Sequence, residues 1–176
     1  MKRYVSLPWE KTDAAASKLY SYVKTRTNIL SIKQAVNIIE INEVIDYVPE
    51  LSEFFTHHGV TPRFGFFLCS HPGETLMPHV DYGRPKRFLF PVLNCQGSFT
   101  EFYKAQDSEI VEATLKNGKK FYNVKISPPY DILDRFELVD PVVIDTGIPH
   151  GVSRHSTNTR LSFTVATAES LDHFLQ

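Results

Sequence analysis

At 176 residues, with 42% hydrophobic and 22% charged side chains, the chain has the size and composition of one soluble globular domain with a sizeable core. A net charge of -1 supplies no field that would gather nucleic acid or an anionic membrane surface, so neither is expected as a partner. No stretch approaches the roughly 18 apolar residues of a membrane helix, and no apolar segment follows Lys2 and Arg3, so a cytoplasmic protein is expected.

In chain order, Thr12 or Asp13 is placed to cap a helix running from Ala14 to about Lys24, with Ala15, Leu19 and Tyr22 or Val23 on one face. Ile29 to Ile41 is rich in Ile and Val and predicts one or two short strands. A helical stretch is predicted from about Asn42 to His58, with Val44, Ile45, Val48, Leu51, Phe54 and Phe55 at helical spacing. Pro49 suits the first turn of its second part and Gly59 the position after its end.

From Pro62 onward the pattern changes. Phe64 to Ser70, Arg87 to Asn94, Ser98 to Tyr103, Val111 to Leu115, Phe121 to Ile126, Val142 to Asp145 and Arg160 to Thr167 are short aromatic or β-branched runs parted by Gly, Pro, Asn or Asp. Asn117-Gly118 is a hairpin signal. Ser127 to Pro141 holds three prolines and reads as an irregular excursion suited to a rim or lid. Helices followed by strands predict an α+β, mainly β fold, an antiparallel sandwich or barrel backed by helices. No repeat or linker divides the chain, so one domain is expected: a helical part over 1–61, a strand-rich core over 62–167 and a tail over 168–176. Cys69 and Cys95 lack metal-type spacing and lie in apolar runs, which predicts buried free thiols.

The chemistry concentrates in a few residues. Residues i and i+2 of a strand share a face, so His79 and Asp81 can offer an imidazole nitrogen and a carboxylate oxygen to one ion. His150 follows the apolar run Val142 to Ile144 and the turn Thr146-Gly147-Ile148-Pro149, and can meet the pair at one mouth of a sandwich. Two imidazoles and a carboxylate leave one side of a ferrous ion open, and zinc accepts the same set. Arg160, Ser162 and Thr164 share the strand face opposite Leu161, Phe163 and Val165. An inward arginine needs an anion, and a bound carboxylate held by its fork and the Ser162 hydroxyl would supply one. Asn94 and Tyr103 are candidates to hydrogen-bond such a co-substrate, and Arg84 and Arg87 to bind substrate. His57, His58, His71 and His155 are read as turn or helix-end residues.

With these residues in place, the chain resembles the 2-oxoglutarate/iron(II) oxygenase superfamily, whose fold is a double-stranded β-helix, the cupin-like jelly roll. Pro72 to Asp81 is similar to the region around the first ligands in the aspartyl/asparaginyl β-hydroxylase and free-proline hydroxylase branch. His150 through Arg160-Leu161-Ser162 resembles the superfamily's distal His and Arg-X-Ser. Leu93 to Tyr103 looks like small uncharacterised proteins of marine bacteria and their phages. Asp81 departs from the aspartyl hydroxylase proper, which lacks a carboxylate there, and from halogenases, which carry a small residue.

The resemblance covers Pro62 to Thr167. It implies helices packed on one sheet of the jelly roll, Fe(II) held by His79, Asp81 and His150, and 2-oxoglutarate anchored by Arg160 and Ser162. It further implies hydroxylation of an amino acid, a protein side chain or another small metabolite with O2, releasing succinate and CO2. Two alternatives stand beside it. One is a cupin-type metal enzyme without 2-oxoglutarate, and the other is a non-catalytic jelly-roll binding module. The oligomeric state is not readable from the sequence.

Overall fold

The computed structural model describes residues 2–31, 35–81, 86–104, 108–114, 120–129, 131–154 and 157–175. The chain opens with a short strand β1 (Tyr4–Ser6), helix α1 (Thr12–Arg26) and a 3-10 turn at Ile29–Ser31. Then come β2 (Ala35–Ile39) and the helices α2 (Ile41–Tyr47) and α3 (Pro49–His57). The remainder is strands: β3 (Pro62–Ser70), β4 (Leu76–Asp81), β5 (Lys86–Leu93), β6 (Ser98–Lys104), β7 (Ser108–Thr114), β8 (Lys120–Ile126), β9 (Asp131–Glu137), β10 (Val142–Asp145), β11 (His150–Arg154) and β12 (Arg160–Thr167). A last 3-10 turn covers Leu171–Leu175.

The strands form two antiparallel six-stranded sheets, ordered β1-β10-β5-β12-β3-β2 and β7-β8-β4-β11-β6-β9. Strands β3 to β6 and β9 to β12 alternate between the sheets, which is the double-stranded β-helix. The described strands thus bear out the mainly β, α+β jelly roll with its helices on one sheet.

Alternation along β12 decides which side of the first sheet does what. Leu161, Phe163 and Val165 join Phe67, Phe88 and Phe90 under Leu19, Val23, Leu51, Phe54 and Phe55 of the helices. Phe54 packs edge-on against Phe88 and Phe90 at 5.8 and 5.2 Å. Each such fully buried side chain contributes about 1.5–3 kcal/mol, so this face anchors the helical layer. Arg160, Ser162 and Thr164 therefore turn the other way, toward the second sheet, and are also buried. A smaller core lies between the sheets, where Phe102 and Phe136 of one meet Val142, Ile144, Leu89 and Tyr4 of the other.

Several expectations are corrected. Helix α1 has Lys11 at its N-cap with no side-chain cap, while the Thr12 hydroxyl donates back to the Trp9 carbonyl at 2.7 Å. Of the Ile29 to Ile41 span, only β2 is a strand and Ile29–Ser31 is a 3-10 turn. The Ser127 to Pro141 stretch is no lid across Asp131–Glu137, which is β9, paired along β6 at the edge of the second sheet. Its prolines stand outside those bounds, so they delimit a strand instead of breaking one. Strand β11, read as loop, lacks an apolar alternation and owes its conformation to pairing with β4 and β6 on either side. The Asn117-Gly118 hairpin signal falls outside the described residues.

Candidate metal centre

Strand β4 places His79 and Asp81 on one face, and His150, the first residue of β11, is the cross-strand partner of His79. One ligand atom from each of the three lies within 4.8 Å of the others. The two imidazole rings are 4.6 Å apart between centroids, and His79 Nε2 is 3.5 Å from Asp81 Oδ1. Each ring uses the same local device. The Nδ1 of His79 lies 2.8 Å from the Met77 carbonyl and that of His150 lies 2.9 Å from the Ile148 carbonyl. A carbonyl accepts only from N–H, so Nδ1 carries the proton and Nε2 is left as a lone pair facing the centre.

The close approach of the two strands depends on Gly151. A Cβ there would lie 2.7 Å from the Leu76 carbonyl oxygen, inside contact distance, so only glycine lets β11 sit this near β4. The backbone N–H of Asp81 donates to the Thr146 carbonyl at 3.2 Å, tying β4 to the turn before His150.

Electrostatics keep the three groups in ligand form. Burial pushes the His150 imidazole down to about 4, assisted by the neighbouring His79, so it stays neutral. Burial alone would raise the Asp81 carboxyl, but the His79 hydrogen bond and the Arg87 guanidinium outweigh it and hold the group far below the usual carboxylate range. Metal binding needs the deprotonated forms, and both are present. Arg87 Nε stands 2.7 Å from Asp81 Oδ2 as an ion pair, without hydrogen-bond alignment of its N–H. Its guanidinium is stacked over Phe66 and Phe64, 4.9 and 5.6 Å from their centroids. Arg87, a sequence candidate for substrate binding, is therefore engaged with a ligand carboxylate. Arg84 lies outside the described residues.

Arg160 is 2% exposed. It donates from Nη1 to Ser162 Oγ at 3.3 Å, while its Nε has no hydrogen-bond partner. Among the described residues no carboxylate forms an ion pair with it. A desolvated guanidinium without a counter-ion costs several kcal/mol, so the site is incomplete without an anion.

The other co-substrate candidates are not brought here. Asn94 is an exposed residue just after β5 with φ 49°, and its Nδ2 donates to the Thr159 carbonyl at 2.9 Å. It clasps the end of β5 to the residue before Arg160. Tyr103 alternates with Phe102, whose ring is 6.5 Å from that of His150, and so projects from the opposite face. There it packs with Val80 and Ile126 and donates its hydroxyl to Glu101 Oε2 at 2.6 Å. Two residues that the sequence reading passed over share the face of Phe102: Ser98 and Thr100, both buried, with hydroxyls lacking any hydrogen-bond partner. The signal was the alternation Ser98, Thr100, Phe102 within a strand that had been assigned.

No family model and no curated protein matches this sequence. Solved structures do match. A prolyl-4-hydroxylase of Pseudomonas putida superposes with a TM-score of 0.57 at 14% identity, over 96% of this chain and 93% of that one. A viral collagen prolyl hydroxylase of Paramecium bursaria Chlorella virus-1 gives 0.49 at 11% identity, over 94% and 96%. The Escherichia coli ribosomal oxygenase YcfD gives 0.46 at 14% identity, over 80% of this chain, which spans about a third (34%) of that protein's length. At these identities the likeness establishes the jelly-roll fold. Among the described residues, no helix is long and apolar enough to cross a membrane.

Proposed function

We propose that the chain is an Fe(II)/2-oxoglutarate-dependent oxygenase that hydroxylates a small molecule or amino-acid-like substrate. The observation that carries this reading is Arg160, buried without a counter-ion on the inter-sheet side, the side that also bears the triad. A metal site alone would not call for a second, anionic occupant.

The donor set fits the group. His79 Nε2, Asp81 Oδ1 and His150 Nε2 would hold the ion, and Arg87 braces Asp81 Oδ2 so that one oxygen is left for the metal. Arg160 and Ser162 would anchor the far carboxylate of 2-oxoglutarate, with the unpartnered hydroxyls of Ser98 and Thr100 on the facing strand available to it. Bound together, the two supply oxidation of a C–H bond to C–OH, one atom of O2 entering the substrate and the other the succinate formed with CO2. The chain itself orients these groups, keeps the ligands deprotonated, and uses Phe102 and Phe136 to exclude water behind His150. Its place among known branches of such enzymes is not part of this reading, since the neighbours share only the fold.

The test is succinate formation from 2-oxoglutarate under air with Fe(II). Wild type is expected to turn over slowly even without substrate. Asp81→Ala should lose turnover and most Fe(II) affinity while its circular dichroism stays native. Metal binding without any 2-oxoglutarate consumption in the wild type would refute the reading and favour a cupin-type metal enzyme.

A further inference from the structure

The inter-sheet side continues beyond the triad into an uncovered apolar strip. Strand β2 pairs with β3 so that Val36 stands opposite Leu68 and Ile38 opposite Phe66. Ile39 alternates into the helix-side core, so Val36 and Ile38 share the side of Phe66 and Phe64. Those are the rings beneath Arg87, whose Nε touches Asp81, so the strip is continuous with the metal ligands. Val36 is 45% exposed, Ile38 41% and Phe64 41%. On the other wall Met77, in the same alternation as His79, is 63% exposed.

A cation flanks this strip. Strand β8 pairs with β4 and sets Lys125 directly opposite His79. Directly opposed residues of an antiparallel pair share a face, with Cβ atoms about 5 Å apart. Lys125 is exposed, and among the described residues no carboxylate forms an ion pair with it. Arg87, the other cation near the mouth, is already paired with Asp81. The free positive charge at this mouth, among the described residues, is therefore that of Lys125.

We propose that this mouth takes an apolar carboxylic acid as the substrate to be oxidised. Its carboxylate pairs with Lys125, and its chain or ring lies along Phe64, Ile38 and Val36. The triad lies between head and tail, so the C–H bond exchanged for C–OH belongs to an aliphatic or benzylic carbon within a few bonds of the carboxylate. The second oxygen atom and the electrons are accounted for by oxidation of 2-oxoglutarate to succinate and CO2, so the substrate role rests on the oxygenase reading. A peptide substrate would instead place neutral amides against Lys125 and leave its charge unanswered.

Octanoate is the probe and octanamide its uncharged match, titrated calorimetrically into Mn(II)-loaded protein saturated with 2-oxoglutarate under argon. Saturation keeps the acid away from Arg160. Octanoate should bind about 10-fold more tightly than octanamide, the worth of one charge-assisted hydrogen bond. Lys125→Met should erase that preference while leaving octanamide unchanged, and Ile38→Ser should weaken both by about fivefold. Equal affinity for acid and amide overturns the proposal, as does an octanoate affinity indifferent to Lys125→Met. Tighter binding of a capped apolar peptide than of octanoate overturns it in favour of a peptide. Succinate formation without probe reports on the oxygenase reading alone. Its absence overturns that reading and the substrate role with it, whereas its presence without octanoate binding overturns only the substrate class.

Discussion

The two faces of the first sheet are built from the same strands and obey opposite rules. Toward the helices, Phe163, Phe67, Phe88 and Phe90 are buried among apolar partners and every contact adds to stability. Toward the second sheet, Arg160, Ser162 and Arg87 lie among His79, Asp81 and His150, polar groups buried at a cost that the fold itself does not recover. One face maximises the stability of the empty protein, while the other is stable only when filled. That contrast separates scaffold from site more sharply than burial does, since both faces are buried.

Thermal or urea denaturation of the metal-free protein can break the comparison. The largest effect belongs to the scaffold face. Phe163→Ala should cost about 3–5 kcal/mol, the usual toll of emptying a packed aromatic site. A loss below about 1 kcal/mol would mean that this core is loosely packed and the distinction is void.

Next comes pH. His150 is ordinarily protonated below 6.5 but is held down to about 4 in the fold. Between those values the unfolded chain binds a proton that the native one refuses, so stability is full above 6.5 and falls as pH drops toward 4. A shift of this size is worth about 3 kcal/mol. His150→Gln should flatten that part of the profile, and an equally steep wild-type and variant profile would assign the loss elsewhere.

The smallest effect has the opposite sign. Arg160→Met removes a buried charge without a counter-ion and should raise the stability of the empty protein by about 1–2 kcal/mol. The same change should weaken 2-oxoglutarate binding by roughly 100-fold. A destabilised Arg160→Met protein would show that the guanidinium is satisfied within the fold and that the polar face is scaffold after all.

Much of this was legible in the chain. The runs Val142 to Asp145 and Arg160 to Thr167 are strands with those same bounds, and the helical period around Leu51, Phe54 and Phe55 marks α3. The inward turn of Arg160 followed from the apolar parity of Leu161, Phe163 and Val165. Where parity was read from a single residue type it failed. Tyr103 was favoured for its hydroxyl, yet Thr100 and Ser98 occupy the inward positions, because a step of one residue along a strand exchanges its two faces. Strand β11 was missed because Gly151 and Ser153 carry no apolar signal.

The sequence by itself determined the local periods, the polar residues that interrupt them and the donor types available to an ion, because side-chain chemistry and strand alternation are properties of neighbours in the chain. Only the tertiary structure decided that His150 stands opposite His79, that Arg87 is paired with Asp81 and that Lys125 borders the mouth. Each of these depends on which strands lie side by side, and that is set by packing between segments far apart in sequence.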